Sequence, residues 1–194
     1  MFIDAPADSV ETSKVYKSSA DTNGFLMNFI KAWAWRPDVF SSFATLRNQL
    51  TEQSTLSKRE LAVLVCATAS TLGDSYCSLA WGRTLSQQAD AKTAAGVINN
   101  SVDGALSERE RVLAAWARKV VQDPNATTAS DIETLRKASL SEREIFEATV
   151  FIAFRQAFSA VNDALGINPD RQLYEQVPTE VREAVTFGRA VAGA

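Results

Sequence analysis

The sequence LSKRELAVLVCATASTLGDSYCSLAWGRTL, residues 56–85, carries two helix starts and one helix stop. Ser57 stands three residues before Glu60, the spacing of a capping box, in which each side chain satisfies a free backbone N–H of the first turn. The apolar run Leu61, Val63, Leu64, Val65, Cys66 follows and reads as a buried helix. It stops at Leu72-Gly73-Asp74, where Gly suits a left-handed helix end and Asp74 suits the N-cap of a second helix. Cys77 then falls in the first turn of that second helix, between Tyr76 and Trp81. A thiol there lies in the positive field of the helix start, which favours its thiolate.

Outward from this hairpin, only helical periodicities appear. Phe25, Leu26, Phe29, Ile30 and Trp33 are spaced for a helix over 23–34, and Arg36-Pro37 ends it and opens the next, with Val39, Phe40, Phe43, Leu46 and Leu50. A short helix is expected over 89–100. The start Leu56-Ser57-x-Arg59-Glu60 then recurs as Leu106-Ser107-Glu108-Arg109-Glu110 and as Leu140-Ser141-Glu142-Arg143-Glu144. These are three helices begun the same way, not a solenoid, because their spacings differ and their flanks do not match. The third, 141–165, is the longest and closes on Gly166. No segment alternates with period two, so the fold class is all-α, a helical bundle around a central hairpin. Residues 1–22 read as an extended polar arm, 23–170 as the helical domain, and 171–194 as a helical extension whose last helix runs from Pro178 to about Ala190.

Composition narrows the chemistry. The chain of 194 residues has 46% hydrophobic and 22% charged residues, ordinary for a globular protein. A net charge of -3 argues against a nucleic-acid surface. The absence of an apolar run of membrane-spanning length, and of a basic-then-apolar leader, predicts a cytoplasmic protein with no membrane partner. There is no histidine, which removes Ser-His-Asp and Cys-His nucleophile activation and nearly all zinc sites. Cys66 and Cys77 are the only cysteines, too few for a thiolate metal cluster. No metal or cofactor is expected. Catalysis would rest on carboxylates, Tyr, Arg, Lys or a thiol.

Arg59-Glu60, Gly73, Tyr76 and Cys77 together resemble the AhpD-like (alkylhydroperoxidase) and carboxymuconolactone decarboxylase family, in its peroxidase-related branch. That branch reads as an Arg-Glu-led apolar helix, a Gly, then Cys-x-Tyr-Cys and a His four residues on. Lys31-Ala32-Trp33-Ala34-Trp35-Arg36-Pro37 and Ala164-Leu165-Gly166 resemble the same branch, so the likeness spans roughly residues 24–170. Asp74 stands in place of the first cysteine and Trp81 in place of the histidine. The resemblance implies thiol-dependent hydroperoxide reduction in antioxidant defence. One cysteine attacks the peroxide and the other resolves the sulfenate, in a homo-oligomer with an external thiol reductant. Cys77 is then the attacking thiol, Glu60 a proton-relay carboxylate, and Asp74 the third catalytic candidate.

Local chemistry gives plainer alternatives. Glu60 is fully explained as half of a capping box, since Glu110 and Glu144 repeat it with no cysteine nearby. Asp74 is an N-cap, and its charge near Cys77 would raise the thiol pKa. Cys66 reads as core, or as an unconventional resolving thiol. Tyr76 and Trp81 read as packing, and Arg83, Arg155 and Asn162 are polar positions on apolar helices that could line a pocket together with Cys66. The sequence therefore supports three functions: a weak or lost peroxidase; an acid-base enzyme on a small carboxylic acid or lactone, using Glu60, Asp74, Tyr76 and Arg83; or a non-catalytic oligomeric binding protein.

Overall fold

The computed structural model describes residues 1–101 and 105–193, which form eleven α-helices and no strand. Helix α4 (Lys58–Leu72) is the axis. Its side chains from Leu61 to Ala69 are all buried, so it is apolar on every side and must be enclosed by neighbours. Those neighbours are α5 (Ser75–Gln88), α6 (Ala91–Ile98), α7 (Glu108–Gln122) and α9 (Glu142–Ala164). Gly73 takes φ 76°, a left-handed conformation that costs a residue with a Cβ more than glycine, and Asp74 N–H closes the helix end on the Ala69 carbonyl at 2.9 Å. The hairpin read from the sequence is thus the α4–α5 pair.

The ends of the other helices follow the same local chemistry. Capping boxes form at Ser57/Glu60, Ser107/Glu110 and Ser141/Glu144. The three starts also lock together. Arg59 donates to Glu110, while Arg109 donates to both Glu60 and Glu144. Glu110 and Glu144 cap their helices as the sequence indicates, and Glu110 is also only 6% exposed. The arginine of one box reaches the glutamate of the next because α4, α7 and α9 begin at the same end of the bundle.

Around this core, α2 (Asn28–Trp33) and α3 (Pro37–Glu52) press an aromatic cluster onto α9. Phe43 stacks on Phe154 at 4.3 Å between ring centroids, and Trp33 on Phe158 at 5.4 Å. Helix α8 (Ala129–Lys137) packs on α7 and α9, and α11 (Thr179–Ala184) on α6 and α5. Gly82 makes this last contact possible, since a Cβ there would lie 2.5 Å from Val181 Cγ1.

Two expectations change. Residues 10–23 are not extended but form α1 (Val10–Asn23), begun by a Ser9/Thr12 capping box and ended at Gly24. That box is a faint signal in the sequence because its third position is Thr rather than Glu. The last helix stops at Ala184, after which the chain runs back to the start of α5, where the Ser75 hydroxyl donates to the Arg189 carbonyl at 2.8 Å. α10 (Arg171–Glu175) is a single short turn between these parts.

Candidate functional site

The cap at Asp74 places Cys77. An Asp74 carboxylate oxygen accepts the Cys77 backbone N–H at 2.9 Å, the hydrogen bond that begins α5, and so brings a carboxylate beside the thiol. Cys77 is 2% exposed and Asp74 0%. Opposite them lies α9, whose residues Arg155, Ser159 and Asn162 are spaced four and three apart and therefore share one face. Arg155 Nη2 donates to Cys77 Sγ at 3.1 Å, and the Ser159 hydroxyl lies 3.8 Å from the same sulfur. Asn162 Oδ1 accepts from Trp33 Nε1 at 2.9 Å, which ties α2 to this face.

Electrostatics here pull in two directions. Burial pushes the Cys77 thiol up, and the Asp74 charge adds to that, while the Arg155 guanidinium opposes both. The field of a helix start does not leave this thiol activated. Asp74 Oδ2 and Arg155 Nε, on residues that touch Cys77, and Asn162 Nδ2 further along the same face of α9 have no partner among the described residues. Unspent buried donors and acceptors of this kind are uncommon in a finished core. Arg155 instead lies against aromatic faces, 5.4 Å from the Trp81 ring centroid and 5.0 Å from that of Phe158. Next along α9, burial and the Asp74 charge raise Asp163 to about 6, with Arg189 opposing.

The remaining candidates separate. Tyr76 is buried and its hydroxyl donates to Asp170, which also accepts Asn28 N–H at 2.8 Å; Tyr76 thus anchors α2 and the 167–170 segment. Trp81 is half-buried, edge-on to Phe151, and walls the site through Arg155. Arg83 points away, donating to Gln176. Cys66 is fully buried; burial pushes its thiol up to about 12, and the charge that opposes this is Arg118 of α7, not Arg155. Both thiols are free. Glu60 sits at the far end of α4 from Asp74, about 20 Å away at 1.5 Å of rise per residue. Burial works against its ionisation, but Arg109 and Ser57 outweigh that and hold its carboxyl low.

So Asp74, Cys77 and Trp81 are brought together with Arg155 and Ser159, Asn162 lies further along the same α9 face with Trp33 as its partner, and Glu60, Arg83 and Cys66 have other partners. Ser159 escaped the sequence reading, although its place between Arg155 and Asn162 on an apolar helix was a usable signal. Asp170 and Asp163 carried no such signal. Among the described residues no group of three or more His, Cys, Asp or Glu side chains could hold a metal ion.

No family model matches the chain, and no curated protein matches it. Solved structures do. A peroxidase-related protein from Ralstonia eutropha JMP134, described as an alkylhydroperoxidase AhpD core, superposes with a TM-score of 0.80 at 22% identity, covering 92% of this chain and 97% of that one. A peroxidase-related protein from Silicibacter sp. TM1040 gives 0.81 at 25% identity over 89% and 93%. The debrominase Bmp8 in its apo form gives 0.76 at 16% identity over 93% and 98%. A cysteine-to-alanine variant of that debrominase is known in complex with 2,3,4-tribromopyrrole. The likeness runs through nearly the whole length of each chain, and it agrees with the motif resemblance at Arg59-Glu60, Gly73, Tyr76 and Cys77. The chain thus has the all-α fold of the AhpD core and of these peroxidase-related proteins.

Proposed function

We propose that the protein is a one-thiol member of the peroxidase-related group, acting on small molecules at Cys77, with hydroperoxide reduction slowed by at least about a hundredfold relative to a full two-cysteine motif, the usual cost of losing a proton-transfer group. The observation that carries this is the Arg155 Nη2 contact to Cys77 Sγ at 3.1 Å, with Asp74 where a resolving thiol would stand. In turnover the Cys77 thiolate attacks the distal peroxide oxygen. The O–O bond breaks, an alcohol leaves with the proton, and sulfur is oxidised to sulfenic acid. An external thiol then forms a mixed disulfide with loss of water, and a second thiol restores Cys77. Arg155 stabilises the thiolate, whereas burial and Asp74 disfavour it, hence the low rate.

A second reading rests on the unpartnered Asp74 Oδ2, Arg155 Nε and Asn162 Nδ2. Such a buried acid with flanking donors suits acid-base chemistry on a small carboxylic acid or lactone, and the debrominase neighbour is a reminder that this scaffold serves more than one reaction. We place the protein in the cytoplasm as a homo-oligomer; among the described residues no helix is long and apolar enough to cross a membrane.

The deciding experiment is steady-state reduction of an organic hydroperoxide with a dithiol, comparing wild type, Cys77→Ser and the double variant Asp74→Cys/Trp81→His. Weak activity lost in Cys77→Ser and raised in the double variant is expected. Activity that survives in Cys77→Ser excludes the thiol mechanism and directs attention to Asp74.

A further inference from the structure

On the face of α5 turned away from Cys77, Ser75 and Leu79 enclose with the C-terminal segment a cleft of about 430 Å³. Small-molecule sites typically occupy about 300–1,000 Å³. Its lining is chemically lopsided. Arg171, Arg182 and Arg189 all line it, and no Asp or Glu is among its described lining residues, in a chain whose net charge is -3. The remaining walls are largely apolar and include Leu79, Tyr174, Val185 and Phe187.

Arg171 is paired with Glu175 at 3.7 Å, but among the described residues Arg182 and Arg189 are not consumed by ion pairs. Arg182 lies over Tyr174, 5.2 Å from the ring centroid, and its side chain donates, among the described residues, only to the Thr179 hydroxyl at 3.0 Å. Arg189 donates to the Asp163 carbonyl oxygen at 2.6 and 3.3 Å. Arg182 and Arg189 thus bring two cations without an ion pair to the lining of one small volume beside Arg171, and an anion in the cleft gains charge-assisted hydrogen bonds there.

We infer that this cleft binds a small organic anion, its oxyanion head group held by Arg182 and Arg171 and its apolar body lying on Leu79, Val185 and Phe187. The apolar walls favour an organic anion over inorganic phosphate. A carboxylate and a phosphate monoester share the head-group chemistry, and the test separates them. The site is independent of the Cys77 chemistry proposed above.

Isothermal titration of the full chain with octanoate, octyl phosphate, octanol and inorganic phosphate tests this. Saturable one-site binding of octanoate or octyl phosphate is expected, and the tighter of the two names the head group. Octanol should bind at least about tenfold more weakly, as should the better anion to Arg182→Gln, the tenfold corresponding to the loss of one charge-assisted contact. Arg182→Lys, which keeps the charge, should retain part of the affinity, and Arg136→Gln, which lies outside the cleft, all of it. The inference is overturned if neither anion saturates by about 10 mM. It also fails if octanol matches the anions, if Arg182→Gln binds as wild type does, or if Arg136→Gln loses as much as Arg182→Gln.

Discussion

Arg155 on α9 donates a hydrogen bond to the sulfur of Cys77 on α5 across 3.1 Å of buried interior. It is the cation at a thiol that burial and the Asp74 carboxylate both push toward its protonated form. The balance among these three groups, more than the helix start, sets what Cys77 can do.

That balance should be visible in thiol labelling. Cys77 and Cys66 are both buried with raised pKa values, so a thiolate-selective reagent at neutral pH should modify neither at an appreciable rate in the native protein. Both should react once the chain is unfolded. Rapid native labelling of one equivalent, lost in Cys77→Ser, would show that Arg155 outweighs burial.

Arg109 joins the starts of three helices through Glu60 and Glu144, with its own side chain 24% exposed and theirs 12% and 17%. Arg109→Ala leaves two partly buried carboxylates without their cation, and should cost roughly 2 kcal/mol in denaturant unfolding. Both glutamates have lowered folded pKa values, for which Arg109 and the capping serines outweigh burial. Their contribution is therefore present above the unfolded carboxylate pKa and is lost as pH falls through the folded values. The difference between wild type and Arg109→Ala should shrink in acid; a difference independent of pH would contradict the ion-pair account.

Asp163 behaves in the opposite sense. Its folded pKa of about 6 lies above the unfolded value, so the native state holds the extra proton between the two, and stability falls as pH rises through that window. Asp163→Asn should raise Tm at neutral pH, and the gain should fade toward about pH 4. A gain that is flat with pH, or a loss at neutral pH, would mean that the carboxylate has a structural partner beyond burial and Asp74.

The surface of α9 motivates the homo-oligomer proposal. Phe146 is 68% exposed and Val161 38%, and Ala153, Ala157 and Ala164 are exposed or half-buried at helical spacing between and beyond them on α9. An apolar stripe of that length on a surface helix suits a second copy of the chain. Light scattering is expected to give a multiple of 21.1 kDa at micromolar concentration, and Phe146→Glu to shift it toward the monomer. A wild-type mass of one chain would set the homo-oligomer aside.

Much of this protein was legible in its sequence because the signals were local. A serine three residues before a glutamate fixes a helix start, Gly73 fixes a stop, and an apolar run without strand periodicity fixes a buried helix, since each depends on groups within one or two turns. The α4–α5 hairpin, the Asp74 cap and the position of Cys77 in the first turn all follow from residues 56–85. The ends of the chain were less legible: Ser9/Thr12 is a weaker capping signature than Ser/Glu, and the 185–193 segment is held by Ser75, far away in sequence. Only the tertiary structure decided which polar residues meet. Arg83 and Arg155 look alike as lone arginines on apolar helices, yet one reaches Gln176 and the other Cys77. Glu60 is paired with Arg109, which lies 49 residues on, and the Cys77 thiol is governed by Arg155, which lies 78 residues on. Helix phase and packing angle fix such meetings, and both are set by how whole faces interlock rather than by any run of neighbouring residues.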